Sequence, residues 1–334
     1  MRVVIGIALL MLVGVPALLW VSAKVSLDRS LAHTRATQAL PLFGASTTTG
    51  LVQIPVGDLR FRSRVAGFER DGPGLILLHG FPETSIMWQP LIERAAAAGF
   101  RVVAFDQRGY SPGARPERVH DYAMSELVAD LMGVADAAGF NRFHLVGHDW
   151  GSAVGWTAAA EAPDRILSWA SLSIPHPGAI PDPARPPETP GYIKVFRAPG
   201  VAETLLGFGG RWMMQANLYG TMSAEHRAEY DAVFGEPGAL TAALGWYRAA
   251  PSGGLPPLQT PVEQAVFYIY GTRDMPVFVA PEVQARLPSF VTGPFESVAL
   301  DAGHWLIQEE PEAVIGGVMA HLERERARAA RPAE

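Results

Sequence analysis

The sequence predicts an α/β fold: a mostly parallel β-sheet with helices on both faces and a helical segment inserted after the sixth strand. Three observations carry that expectation. Short apolar runs alternate with helical spacing over residues 74–174 and again after residue 262, and strands apolar throughout are buried on both faces, as in a parallel sheet covered by helices. One such run, residues 143–146, enters Gly147-His148-Asp149-Trp150-Gly151 and then small residues, the pattern of a strand turning sharply into a helix. Between residues 175 and 261 the rhythm gives way to Pro, Gly and aromatic residues, which reads as an inserted lid.

The elements follow in order. Residues 3–23 hold no charge and are long enough to cross a hydrocarbon core of roughly 30 Å as a helix. A signal peptide has a shorter apolar region of about 7 to 15 residues, so residues 1–23 are expected to anchor the protein in a membrane, although Val21-Ser22-Ala23 resembles a cleavage site. Arg2 precedes the span while Lys24, Arg29 and Arg35 follow it, which leaves the side of the membrane open; a signal-like reading exports the domain. Residues 24–49 form a linker, helical in part and then extended. Alternation around Gly57-Asp58 in residues 51–65 marks an antiparallel hairpin. Strands follow at 74–78 and 102–105, with a helix at 86–98 between them that stops at Gly99. Met124, Leu127, Val128, Leu131 and Ala135 give the next helix by their three- and four-residue spacing. After the strand at 143–146 comes another at 166–174, then the lid at 175–261 with a helical patch at 224–234. The alternation resumes with a strand at 266–270, a helix at 281–287, a strand ending near Leu300 and a helix over 306–326. Residues 50–174 and 262–326 thus form the core, and 327–334 a charged tail.

Composition narrows the function. With 334 residues, 49% hydrophobic, the chain can bury a large core. A net charge of −6 without a concentrated basic face speaks against nucleic acid as a partner. The absence of cysteine removes disulfides, thiolate metal sites and a cysteine nucleophile. No His/Asp/Glu set has metal-ligand spacing, so no metal or cofactor is expected.

In such a sheet the reactive groups belong on loops at the carboxyl ends of strands. Asp149 stands at the turn between two glycines, a position from which a side chain projects alone at a helix N-terminus. A carboxylate there is a nucleophile for an alkyl carbon; taken alone, it is equally a helix cap. Asp274 follows the strand at 266–270 and His304 follows the strand ending near Leu300, giving the chain order nucleophile, acid, histidine. The amides of Phe81 and Trp150 are the candidate oxyanion donors. His148 and His176 lack the triad position and are read as structural or supporting.

His79-Gly80-Phe81-Pro82-Glu83, residues 106–113, residues 147–152, Gly271-Thr272-Arg273-Asp274 and Gly303-His304-Trp305 together resemble the α/β-hydrolase superfamily, specifically its epoxide hydrolase and haloalkane dehalogenase branch. The likeness covers residues 51–322. Tyr192, in a segment similar to an epoxide hydrolase lid, and Tyr247, in Gly245-Trp246-Tyr247-Arg248, stand where the family's tyrosines hold the epoxide oxygen. Gly245 replaces the usual Asn there, and Arg197 stands where Gln is frequent. The resemblance implies opening of a small apolar epoxide by Asp149, with water activated by His304 and Asp274. Two alternatives stay open: a haloalkane or haloacid dehalogenase using the same triad, with the Trp150 indole on the halide, and a non-catalytic ligand-binding homologue. Oligomeric state is not legible.

Overall fold

The computed structural model describes residues 15–181, 191–207, 222–250, 254–255 and 257–329. Eight strands form one sheet in the order β1-β2-β4-β3-β5-β6-β7-β8. They are β1 (Gly50–Val56), β2 (Leu59–Ala66), β3 (Gly74–Leu78), β4 (Arg101–Phe105), β5 (Phe143–His148), β6 (Ile166–Leu172), β7 (Ala265–Gly271) and β8 (Phe295–Leu300). The β1–β2 and β2–β4 pairs are antiparallel and the rest parallel. A two-residue turn closes the β1–β2 hairpin, with Val56 opposite Leu59 and Gly57 at φ 56°. The chain leaves β3 toward β4 on one side and then crosses to β5 on the other, so the switch in strand order falls between β3 and β5. In open α/β sheets such a switch point is where ligands bind, at the strand carboxyl ends.

The helices are α1 (Val15–Gln38), α2 (Gln89–Ala97), α3 (Met124–Ala137), α4 (Trp150–Glu161), α5 (Gly191–Arg197), α6 (Val201–Gly207), α7 (Ala224–Gly235), α8 (Ala239–Ala249), α9 (Pro276–Val279), α10 (Pro281–Arg286), α11 (Leu306–Glu309) and α12 (Pro311–Ala329). Alternate residues of the parallel strands point to opposite faces, and two apolar cores follow. Ile76, Leu78, Val103 and Leu145 pack with α3 and α4 residues such as Leu131 and Val154. Leu75, Leu77, Val102 and Val146 pack with Leu91 of α2 and Val318 of α12. The sheet is therefore covered on both faces, and helices α5 to α8 follow the sixth strand, as the sequence predicts.

Several boundaries differ from expectation. The helix expected over 86–98 begins as a 3-10 turn, Ser85–Trp88, and becomes α-helical only at Gln89, because Pro90 fits a first helical turn better than an interior. The helix expected over 306–326 is broken at Glu310 (φ −131°, ψ 56°), which precedes Pro311 and is kept out of helical conformation by the proline ring. Strand β6 ends at Leu172, not 174, because Ser173 turns to φ 71°.

The N-terminal region departs furthest. Residues 3–14 of the expected membrane span lie outside the described residues, and among the described residues no helix is long and apolar enough to cross a membrane. Helix α1 instead runs on to Gln38 and packs against α7. Beyond it, Leu42 bridges to Gln53, so the connection lies along β1.

Candidate active site

Asp149 holds φ 53° and ψ −123°, a backbone conformation that an L-residue with a Cβ adopts only when its surroundings impose it. The imposition is visible at two glycines. A Cβ on Gly151 would sit 2.2 Å from the Leu78 carbonyl oxygen, and one on Gly80 would sit 2.2 Å from Asp149 Oδ1. Only bare backbone permits β3, its loop and the start of α4 to approach this closely.

The approach sets the carboxylate between donors. The Phe81 amide donates to Asp149 Oδ1 at 2.8 Å, while Oδ2 lies 3.3 Å from His304 Nε2. Burial alone would raise the carboxyl pKa; the hydrogen bond and charge of His304, then the Trp150 amide, outweigh it and hold Asp149 below the usual carboxylate range. The carboxylate at the turn is thus ionised at neutral pH.

His304 lies between β8 and α11, and its Nδ1 faces both Asp274 oxygens at 3.0 and 2.9 Å. Asp274, after β7, has a fully buried side chain that also accepts the Met275 amide at 2.6 Å. Burial disfavours a charged imidazole, yet the Asp274 and Asp149 carboxylates on its two sides push it up to about 10. In the resting site His304 is therefore an imidazolium clasped by two carboxylates.

The two tyrosines stand above this group on separate helices. Tyr247 of α8 is buried, with its ring 5.1 Å from Trp150, 5.6 Å from Phe81 and 5.0 Å from Phe196. Burial first, and the Asp149 charge second, push its phenol well above 10, so it is a hydrogen-bond donor at any ordinary pH. Tyr192 of α5 is 37% exposed; its ring packs 5.4 Å from Phe196, and its hydroxyl is 3.5 Å from Met275 Sδ, beside Asp274. The structure therefore brings Asp149, Asp274, His304, Phe81, Trp150, Tyr192 and Tyr247 to one place. The two unusual residues have local reasons: a Cβ on Gly245 would meet the Tyr122 ring at 2.7 Å, and Arg197 donates to the Ala250 carbonyl at 2.8 Å.

Of the groups behind His304, only His148 was expected from the sequence, as a supporting residue. His148 Nδ1 lies 3.0 Å from buried Glu83, and its Nε2 donates to the His304 carbonyl at 2.8 Å. That carbonyl also accepts the Ser173 hydroxyl at 2.9 Å, and Gln308 donates to Glu83. These contacts fix the backbone of the histidine from below. His148, beside Asp149, and Glu83, inside the loop motif, carried a local signal, whereas Ser173 and Gln308 carried none. His176 is remote from this chain, stacked on Phe290 at 4.7 Å with Nε2 on the Thr260 carbonyl. Among the described residues no group could hold a metal ion.

A sharp strand-to-helix turn bearing an acid, with an acid and a histidine on the loops after the last two strands of an eight-stranded sheet, defines a class of hydrolytic scaffold. The family model described as alpha/beta hydrolase fold matches residues 73–311, and the chain belongs to that family. Within it the chain is an epoxide hydrolase-like hydrolase. It is 32% identical to Epoxide hydrolase A of Mycobacterium tuberculosis, covering 80% of this chain and 96% of that one. It is 31% identical to the AB hydrolase superfamily protein YfhM of Bacillus subtilis, over 78% and 93% of the two chains. The crystal structure of Epoxide Hydrolase A from Mycobacterium thermoresistibile is similar, with a TM-score of 0.69 and 29% identity over 83% of this chain and 98% of that one.

Proposed function

We propose that the protein opens epoxides to vicinal diols through a covalent ester on Asp149. Asp149 Oδ1 already accepts the Phe81 amide, so Oδ2 forms the bond to an oxirane carbon. Tyr192 and Tyr247 give hydrogen bonds, and finally a proton, to the departing oxygen. Esterification removes the Asp149 charge, one of the two carboxylates that keep His304 protonated. The imidazole then loses its proton, which balances the one taken from the tyrosines, and becomes a base for water. His304 takes a proton from water as the water oxygen attacks Asp149 Cγ, and the tetrahedral oxyanion settles on the Phe81 and Trp150 amides. Its collapse releases the diol as the leaving alkoxide takes the proton of the newly formed Asp149 carboxylic acid, which restores the Asp149 carboxylate and the His304 imidazolium. Each amide contributes about 3 kcal/mol to that step.

The observation that carries this reading is the pairing of tyrosines with the ionised acid. A halide leaves as a stable anion and requires only N–H donors, whereas an oxirane oxygen departs as a strongly basic alkoxide. Two protonated phenols around Asp149 suit the second. Kinship to proteins named epoxide hydrolase supports it further. The segment 175–261 then acts as the lid that supplies both phenols. A panel of epoxides and haloalkanes tests the reading. Diol formation without halide release is expected; halide release that Trp150→Phe abolishes and the tyrosine changes spare would assign the site to a dehalogenase.

The N-terminal anchor belongs to the same proposal. The apolar run over residues 3–14 continues into α1, which exposes Trp20, Val21, Val25, Leu27 and Leu31, side chains that water does not favour and a bilayer accepts. The full chain is expected in the membrane fraction after cell lysis. A mature protein beginning at Lys24 and recovered in the soluble fraction would overturn the anchor.

A further inference from the structure

Three core side chains donate to a single carboxylate of the inserted segment. Glu229, on α7, accepts Arg62 at 3.1 and 2.7 Å, Arg64 at 3.2 and 2.5 Å, and the Thr84 hydroxyl at 2.6 Å. Arg62 and Arg64 belong to β2. Thr84 belongs to the loop that starts at His79 and carries Phe81. The network extends to Asp106, which meets Arg62 at 2.7 Å and accepts the Ser85 amide at 2.7 Å, while Arg64 also donates to the Ser85 hydroxyl at 2.7 Å. Two guanidinium groups thus face two carboxylates, all nearly buried, with side-chain exposures of 4% and 13% for the arginines and 0% and 10% for the acids. His33 of α1 is close enough to feel their charges.

Burying such a group costs desolvation that the ion pairing roughly repays, so its retention is weak evidence for stability as such. What the geometry supplies is registry between one helix and one loop. Five residues beyond Glu229, Phe234 of the same helix packs 6.0 Å from the Phe81 ring and 5.8 Å from Tyr110. Three residues before Thr84 lies Phe81 itself. The Glu229–Thr84 bond and the Phe234–Phe81 contact therefore close a circuit around the residue whose amide meets Asp149 at 2.8 Å and whose ring touches Tyr247. A shift of α7 against the loop must move the Phe81 amide, the Tyr247 contact, or both.

We propose that Glu229 is a positioning residue for this site: one carboxylate on the inserted segment sets that segment against the loop bearing the Phe81 amide. The proposal rests on the two-step reading above. It is tested with the full chain and styrene oxide as probe, measuring steady-state constants and single-turnover ester formation and hydrolysis well below the melting temperature. Glu229→Gln keeps the shape and removes the charge. It is expected to lower kcat and raise KM by about ten-fold each, as loosened closing elements do. Thr84→Val removes only the hydroxyl on the loop side and is expected to slow ester hydrolysis about three- to ten-fold, while Thr84→Ser restores the rate. A folded Glu229→Gln protein with wild-type constants and merely a lower Tm overturns the proposal. If Glu229→Gln does not fold, Thr84→Val decides, and unchanged hydrolysis overturns it. If the wild-type protein forms no ester on Asp149, the two-step reading is what fails; KM for whatever activity the chain then has still decides the role of Glu229.

Discussion

Asp149→Asn is expected to abolish ester formation, lowering turnover by at least about ten-thousand-fold, as loss of a nucleophile does elsewhere. The amide is nearly isosteric, and its oxygen can still accept the Phe81 N–H that Oδ1 accepts now. Asparagine also tolerates positive φ, so the turn at φ 53° survives. What disappears is the charge. A neutral amide does not attack an oxirane carbon, and His304 loses one of the two carboxylates that push it up to about 10. Single-turnover kinetics with unchanged circular dichroism checks this, since loss of fold would be a different result.

Tyr247→Phe is expected to slow ester formation by about ten- to a thousand-fold, and Tyr192→Phe similarly, with the double variant nearly inactive in that step. The ring contacts of Tyr247 with Phe81, Trp150 and Phe196 remain after removal of the hydroxyl, so packing is kept while the proton donor is lost. Tyr192 is more open, and its hydroxyl now faces Met275 Sδ, so it must turn toward the substrate oxygen to act. Hydrolysis of the proposed ester, assigned above to His304, is expected to change little. Epoxide opening at the wild-type rate in both single variants would remove the tyrosines from the mechanism.

Much of this was legible because it is local. The inner parallel strands are buried on both faces and announce themselves as mostly apolar runs, unlike the exposed edge strand β8, and the turn at Asp149 is written in the glycines that flank it. The places of Asp274 and His304 after their strands could be read from the sequence, and the structure brings both beside Asp149. The finer boundaries were lost where a proline acts on its predecessor, as at Glu310, or sits in a first turn, as Pro90 does. The tyrosines required family resemblance, since nothing in their own segments says that α5 and α8 fold over Asp149. The Glu229 network had no sequence signal at all: its arginines lie on a strand 165 and 167 positions away. Such contacts depend on how an inserted segment docks, which periodicity does not encode.

The proposed covalent ester is most directly tested with His304→Gln, which removes the base assigned to water while leaving Asp149 in reach of an epoxide. Intact-protein mass spectrometry after incubation with substrate should show a gain equal to one epoxide, and peptide mapping should assign it to Asp149. A folded His304→Gln protein that carries no adduct and turns over as the wild type does would contradict the account.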